Sequence, residues 1–345
     1  MKKITQELLT WYEENKRDLP WRHTKNPYYI WISEIMLQQT QVETVKEYYQ
    51  RFIKKLPTLE DLANISQDEL LKLWEGLGYY SRVRNMQKTA QLLIKKQKKT
   101  LPNTKEALIK LPGIGDYTAG AILSIAFDKP SIAIDGNVYR ILGRVYRIHE
   151  PINKKATYKK YEEKMTSLLP TTKSSAFTQS FMDLGSLICT PKNPKCEKCP
   201  LSKECEAKKH QEQEQYPVKE KTINKKMEER SVFLLTYKDK IAIKKREEKG
   251  LLASLYEFPN TLKKPTIIDI ENDLIERNIP FKNVTQIGEA KHIFSHKIWS
   301  MKGFYIELLN PIEKFLWVTK EELKSTYPLP SAFIYFYDFY INHEK

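Results

Sequence analysis

The sequence predicts a multi-domain fold: an all-α segment over residues 1–205, a linker over 206–229 and a small α+β domain over 230–345. Three observations carry that division. Before position 205, apolar residues recur at helical spacing between sharp breaks, which favours a bundle of short helices over a sheet. Residues 206–229 are dominated by Lys, Glu and Gln and hold little apolar content, the composition of a linker. From Ser231 onward the pattern shifts to that of strands. A chain of 345 residues has room for a core in each part.

Taken in order, Asn26-Pro27 reads as an N-cap and first helical residue, with Ile30, Trp31, Ile35, Leu37 and Val42 following at mixed helical spacing. Leu59 to Leu73 and Tyr80 to Leu93 are further helical stretches. Leu111-Pro-Gly-Ile-Gly115 is a sharp break before the small, apolar run from Tyr117 to Phe127. In the C-terminal part, Val232–Tyr237 and Ile241–Ile243 flank a Lys-Asp-Lys turn and read as a hairpin, Trp299–Ile306 is another strand, and Ile267–Arg277 and Thr319–Ser325 are helical.

No run of about 18 apolar residues is present, so a transmembrane helix is excluded. The N-terminus has no apolar signal segment, and a cytoplasmic protein is expected. The formal net charge of +15 suits a polyanion partner, although solvated Lys faces would give the same count. The chain holds four cysteines, Cys189, Cys196, Cys199 and Cys205, all within 17 residues in the spacing C-x6-C-x2-C-x5-C. Four clustered thiols in a cytosolic protein suggest a metal site, and the spacing alone allows tetrahedral zinc or an iron–sulfur cluster.

Two carboxylates stand out. Glu34 has Ile30, Trp31 and Leu37 as its helical neighbours, so it is either buried or at a pocket, and desolvation would raise its pKa as a general acid requires. The structural alternative is a Glu paired to a buried Arg such as Arg22. Asp135 precedes Gly136 and the periodic Val138, Ile141 and Leu142, the position of an N-cap. Backbone N–H bonds and the helix dipole there are expected to favour its ionised form. A protonated acid and an anion together serve the cleavage of a glycosidic bond through an oxocarbenium-like centre. The Gly113 and Gly115 turn opens a helix whose free N–H groups suit a DNA phosphate, or it is a plain connection between helices.

Specific stretches resemble a known family. The cysteine loop is similar to that of endonuclease III and the adenine glycosylases, and Leu111–Ala119 with Ile134-Asp-Gly-Asn-Val138 resembles the helix-hairpin-helix glycosylase pattern. Trp31-Ile-Ser-Glu-Ile-Met-Leu-Gln-Gln-Thr-Gln-Val42 and Leu73-Trp-Glu-Gly-Leu-Gly-Tyr-Tyr-Ser-Arg82 closely resemble the MutY-type adenine glycosylases. The resemblance implies a 4Fe-4S cluster on the four cysteines, with Lys192, Lys195, Lys198 and Lys203 on a basic loop. It implies that Glu34 protonates adenine and then activates water, and that Asp135 stabilises or bonds the sugar carbon. Tyr117 stands where endonuclease III-like lyases hold a Schiff-base lysine, and tyrosine cannot form an imine. A monofunctional enzyme that leaves an abasic site is therefore expected.

By the same resemblance, Gln39 and Leu77 enter the stack once the base is flipped, Tyr79 lies beside the lesion pair and Thr40 touches the opposite base. Leu77 and Tyr79 flank Gly78, a turn that favours exposure. Arg22 and Gln179 map to the adenine pocket, although Gln179 stands where some relatives carry Glu. Residues 231–345 resemble the Nudix-like domain of the same enzymes, best at Lys249–Pro259, but the Glu-rich metal helix of a Nudix hydrolase is missing after Pro259. Recognition without pyrophosphate hydrolysis follows. Phe294-Ser295-His296 matches a loop that recognises 8-oxoguanine in the family, where a core Phe beside a surface His would otherwise be the default; His292 and His296 at i and i+4 are set aside as metal ligands. The expected partner is double-stranded DNA with adenine opposite 8-oxoguanine or guanine, bound by a monomer with no membrane association.

Overall fold

The computed structural model describes residues 3–220 and 225–343. The chain divides into two compact units, one of residues 1–64 and 85–222, the other of residues 65–84 and 223–345.

The helices of the N-terminal half run in chain order as α1 (Lys3–Asn15), α2 (Pro27–Met36), α3 (Val42–Lys55), α4 (Leu59–Asn64), α5 (Gln67–Leu73), α6 (Ser81–Lys95), α7 (Lys105–Leu108), α8 (Asp116–Phe127), α9 (Gly136–Val145), α10 (Lys155–Leu168), α11 (Ser174–Leu187) and α12 (Glu206–Lys209). The Asn26 side chain accepts the Tyr28 N–H at 2.9 Å and Pro27 opens α2, as the dipeptide predicts. A core of Leu8, Ile141, Leu142, Tyr161, Met165, Phe177, Phe181 and Leu184 joins α1, α9, α10 and α11. A smaller cluster of Ile30, Ala121, Ile125 and Ala133 packs α2 against α8 and the extended segment before α9. Gly120 makes that approach possible. A Cβ there would lie 1.9 Å from the Ile132 carbonyl oxygen, so a hydrogen at this position lets residues 132–134 lie against α8 and deliver Asp135.

The span 206–220 carries structure that its composition conceals. Tyr216 is buried against Cys205 and Ala207, and the Gln213 carbonyl accepts a bond of 2.7 Å from Arg144. Residues 221–224 of the expected linker lie outside the described residues. Strand β1 begins at Lys226, inside the expected linker, because it pairs in parallel with a later strand from Lys226↔Lys297 to Thr236↔Glu307. Ladder pairing outweighs the low strand propensity of Lys and Glu.

The C-terminal unit is a mixed sheet of β1 (Lys226–Tyr237), β2 (Lys240–Lys245), β3 (Tyr256–Glu257), β4 (Asn260–Thr261), β5 (Phe281–Ile293), β6 (Lys297–Leu308) and β7 (Leu316–Thr319), in the order β3-β2-β1-β6-β5 with β4 on β1 and β7 on β2. The β1–β2 hairpin closes at Tyr237↔Lys240, as the sequence predicts. Period-two alternation gives the sheet two buried faces. Leu234, Trp299, Met301 and Tyr305 meet Phe333 and Phe336, the latter on α15 (Ile334–Asn342), whereas Leu235, Phe304, Ile306 and Leu308 meet Ile270 and Leu274 of α13 (Ile267–Glu276). Between these helices in sequence lies α14 (Lys320–Ser325), capped by Thr319.

Candidate active site and cysteine centre

One pocket of about 250 Å³ gathers most of the predicted catalytic residues of the first unit. Its wall is built by Glu34 from α2, Asp135 and Asn137 at the start of α9, Gln179 and Met182 from α11, and Arg22 from the segment before α2; Thr40 also lines it. Glu34 is 3% exposed, and its Oε2 accepts a bond of 2.7 Å from the Tyr117 hydroxyl on α8. Burial raises the Glu34 carboxyl to about 7, assisted by the nearby charge of Asp135 and opposed by the Tyr117 bond and Arg22. The same burial and the two carboxylates hold the Tyr117 phenol firmly neutral.

Asp135 is the N-cap of α9 as expected: Oδ1 accepts the Val138 N–H at 2.8 Å and Oδ2 accepts the Asn137 amide at 2.7 Å. Its pKa direction differs from the expectation. Desolvation raises it, outweighing the bonds from Val138 and Asn137 and the charge of Arg140. A cap facing open water would have been acidic, but this one lines the pocket beside Glu34.

Arg22 is not the partner of Glu34. Its guanidinium grips Asp183 in a fork, with Nη1 to Oδ2 at 2.6 Å and Nη2 to Oδ1 at 2.7 Å. Arg17 adds its Nε at 2.7 Å and its backbone N–H at 3.0 Å. Asp183 is fully buried; desolvation pushes its pKa up, but the two arginines win and hold it below the usual range. The sequence reading missed Asp183 and Arg17, although a lone acid in Phe181-Met-Asp-Leu184 was a signal that a buried cation must be near. Gln179 is buried and donates to the Ser175 hydroxyl at 3.0 Å. Gln39 is exposed in a left-handed conformation, φ 61°. Gly113 has φ 76° and sits so close to Asn85 that a Cβ would lie 2.8 Å from the Asn85 Cβ, while Gly115 faces open space as the N-cap of α8.

The four cysteines line one small cavity together with Arg144, Ile188 and Gln213. Among the described residues no group of three or more His, Cys, Asp or Glu is set to hold one metal ion. Arg144 is 2% exposed and donates to the Cys189 sulfur at 3.2 Å and to the carbonyls of Thr190 at 2.8 Å and Pro191 at 3.0 Å. Gln213 reaches the Cys196 sulfur at 3.7 Å. Burial raises the Cys199 thiol to about 12, with the neighbouring cysteines contributing to the rise and a backbone bond from Leu201 opposing it. Arg140 links this loop to the pocket, donating to the Cys189 carbonyl at 2.6 Å and to Asn137 Oδ1 at 2.7 Å.

Residues 32–170 match the HhH-GPD superfamily of base excision DNA repair proteins, and residues 231–337 match the NUDIX domain. The chain is 39% identical over 314 residues to the adenine DNA glycosylase of Buchnera aphidicola subsp. Baizongia pistaciae, covering 90% of this chain and 87% of that one. It is 32% identical over 381 residues to the human adenine DNA glycosylase, covering 91% and 70%. This chain belongs to the adenine DNA glycosylase family. Among solved structures it is similar to a thermostable thymine-DNA glycosylase, with 32% identity and a TM-score of 0.55 over 60% of this chain and 95% of that one. It is also similar to endonuclease III in a non-covalent DNA complex, with 25% identity and a TM-score of 0.53 over 61% and 98%. The adenine DNA glycosylase family and the helix-hairpin-helix fold make this enzyme a DNA N-glycosylase of base excision repair that acts on adenine.

In the second unit of this glycosylase, Phe294-Ser295-His296 forms the tight turn between β5 and β6, closed by the Phe294 N–H to the Lys297 carbonyl at 2.8 Å. Phe294 packs edge-on against Trp299, ring centroids 4.8 Å apart, and Ser295 and His296 are exposed with Oγ and Nδ1 3.3 Å apart. Glu228 anchors this base, accepting from Lys297 at 2.6 Å and from the Trp299 indole at 2.9 Å. Tyr79 is 53% exposed with φ 46°. Leu77, expected to be exposed, is buried at 5%. The left-handed Gly76 and Gly78 turn the chain so that Tyr79 points out, while Arg82 holds the Leu77 carbonyl at 2.9 Å. Among the described residues no helix is long and apolar enough to cross a membrane.

Proposed function

We propose that this enzyme excises adenine opposite 8-oxoguanine, and opposite guanine, as a monofunctional monomer on double-stranded DNA that leaves an abasic site. The observation that carries the reading is the buried Glu34, raised to about 7 and held by Tyr117 in one pocket with Asp135.

The pocket is below the usual range for drug-sized ligands, roughly 300–1,000 Å³, and suits a single flipped base. Protonated Glu34 gives its proton to a ring nitrogen of adenine as the bond from the base to the sugar C1′ breaks, and neutral adenine leaves. The cation that develops at C1′ meets the Asp135 carboxylate, whose orientation Val138 and Asn137 fix. Glu34, now ionised, accepts a proton from water as its oxygen bonds to C1′. Tyr117 carries no amine, so no imine forms and strand cleavage does not follow. Arg22, pinned by Asp183, with Gln179, shapes the base pocket.

Cys189, Cys196, Cys199 and Cys205 would hold a 4Fe-4S cluster; when bound it supplies a cross-link for the loop over 189–205. The support is four sulfurs around one cavity and a buried Arg144 whose donors find a sulfur and carbonyls there. Gly113 and Gly115 present the start of α8 to a phosphate, Gln39 enters the DNA stack and Thr40 touches the opposite base. Phe294, Ser295, His296 and Tyr79 read the 8-oxoguanine. The Nudix-like sheet serves recognition: on α13, Asp269 is used in capping with Thr266 and Asp273 pairs with Arg277.

The test is single-turnover reaction of a duplex with one adenine opposite 8-oxoguanine, scored with and without alkali. Strand breakage seen only after alkali is expected. Breakage without alkali, trapped as a borohydride adduct, would make the enzyme a lyase; no product with DNA binding intact would overturn the substrate.

A further inference from the structure

Residues 65–84 precede the C-terminal strands by a long stretch of chain, yet they form one compact unit with residues 223–345. Four sets of contacts make this so. The Asp68 carboxylate accepts from Lys245 at 2.7 and 3.0 Å and from the Tyr256 hydroxyl at 3.1 Å. Lys72 donates to the carbonyls of Leu323 at 3.3 Å and Tyr327 at 3.4 Å. Glu75 pairs with Lys72 at 2.7 Å and accepts the Leu329 N–H at 2.7 Å. Arg84 donates to the Ala253 carbonyl at 2.9 Å.

The Gly76–Tyr79 loop begins directly after Glu75. It is stiffened from within, since the Trp74 indole and Arg82 both donate to the Gly78 carbonyl, at 3.1 and 3.0 Å. Its exposed ring, Tyr79, therefore inherits the position of α5, and α5 is fastened to the sheet unit that bears the Phe294-Ser295-His296 turn. Two contacts discriminate one nucleotide jointly only while their spacing is fixed.

We propose that Asp68 and Glu75 are positioning residues for lesion selectivity: they fasten the Tyr79 loop to the recognition unit, so that loop and turn meet the 8-oxoguanine as one rigid body. This rests on the 8-oxoguanine reading given above. Neither residue touches the DNA in this account; each acts through the loop.

The experiment compares single-turnover excision of adenine opposite 8-oxoguanine and opposite guanine by the full chain. The wild type is expected to favour 8-oxoguanine. In D68A/E75A the preference falls by about tenfold, as expected for loss of charge-assisted bonds, while the rate opposite guanine stays within about twofold because Glu34 and Asp135 lie in the other unit. D68N/E75Q keeps an acceptor oxygen for Tyr256 and for Leu329 and recovers most of the preference. An unchanged preference in D68A/E75A, or an equal fall on both duplexes in both variants, overturns the proposal. A wild type without preference overturns the recognition reading itself, and the clasp with it.

Discussion

The Tyr117 hydroxyl lies 2.7 Å from Glu34 Oε2, a donor on α8 aimed at a carboxyl on α2. The bond favours the ionised carboxylate and so restrains the rise that burial imposes on Glu34. Tyr117→Phe removes the restraint without changing the ring. The Glu34 pKa then moves up, and the alkaline limb of the excision rate, where the acid loses its proton, moves to higher pH. A pH–rate profile checks this; a limb that stays or moves down contradicts it.

The buried acid also shapes stability. Its folded pKa of about 7 lies above its ordinary value of 4.5, so between these the folded state binds more protons than the unfolded. Stability from this group is fully present below about pH 4.5, declines as pH rises and has levelled off above about pH 7, a loss of about 3 kcal/mol. Glu34→Gln should therefore raise the melting temperature at pH 8 and leave it nearly unchanged at pH 4.5. An equal shift at both would contradict the assignment.

Asp183 neutralises two arginines at the pocket wall. Asp183→Ala strands both charges and should cost roughly 3–5 kcal/mol, read as a fall in melting temperature. Excision should fall as well, since Arg22 loses its fixed orientation. A variant of wild-type stability would show that the arginines find other partners.

Gly120→Ala tests how Asp135 is delivered. The added Cβ would meet the Ile132 carbonyl at 1.9 Å, so residues 132–135 must move. A displacement of about 1 Å costs on the order of 10²-fold in rate. Single-turnover excision should fall by about that factor while DNA affinity holds; full activity would show that the segment relaxes elsewhere.

The purified protein should be brown and carry about four iron and four sulfide per chain. Metal and sulfide analysis decides this, and a colourless protein with one zinc contradicts it.

Much of this was legible in the sequence for local reasons. Asn26-Pro27, Asp135-Gly136 and the Gly113–Gly115 break announce helix starts through short-range chemistry, and the structure places each there. Glu34 showed as a carboxyl on an apolar face. What stayed hidden depends on distant residues. The parallel pairing that begins β1 at Lys226, the grip of Arg17 and Arg22 on Asp183, and the docking of Asp68 on Lys245 join positions far apart in sequence. The cap chemistry of Asp135 alone favours the ionised form, whereas desolvation at the pocket decides the direction of its pKa. The glycines beside Leu77 favour exposure, whereas packing in the fold buries it.

The proposed chemistry turns on Glu34 as the acid that releases adenine. The most direct test is single-turnover excision by Glu34→Gln at neutral pH, with binding to the same duplex measured in parallel. A loss of roughly 10²–10⁴-fold in excision with binding retained is expected, since glutamine fills the pocket but carries no transferable proton. Full excision by this variant would contradict it.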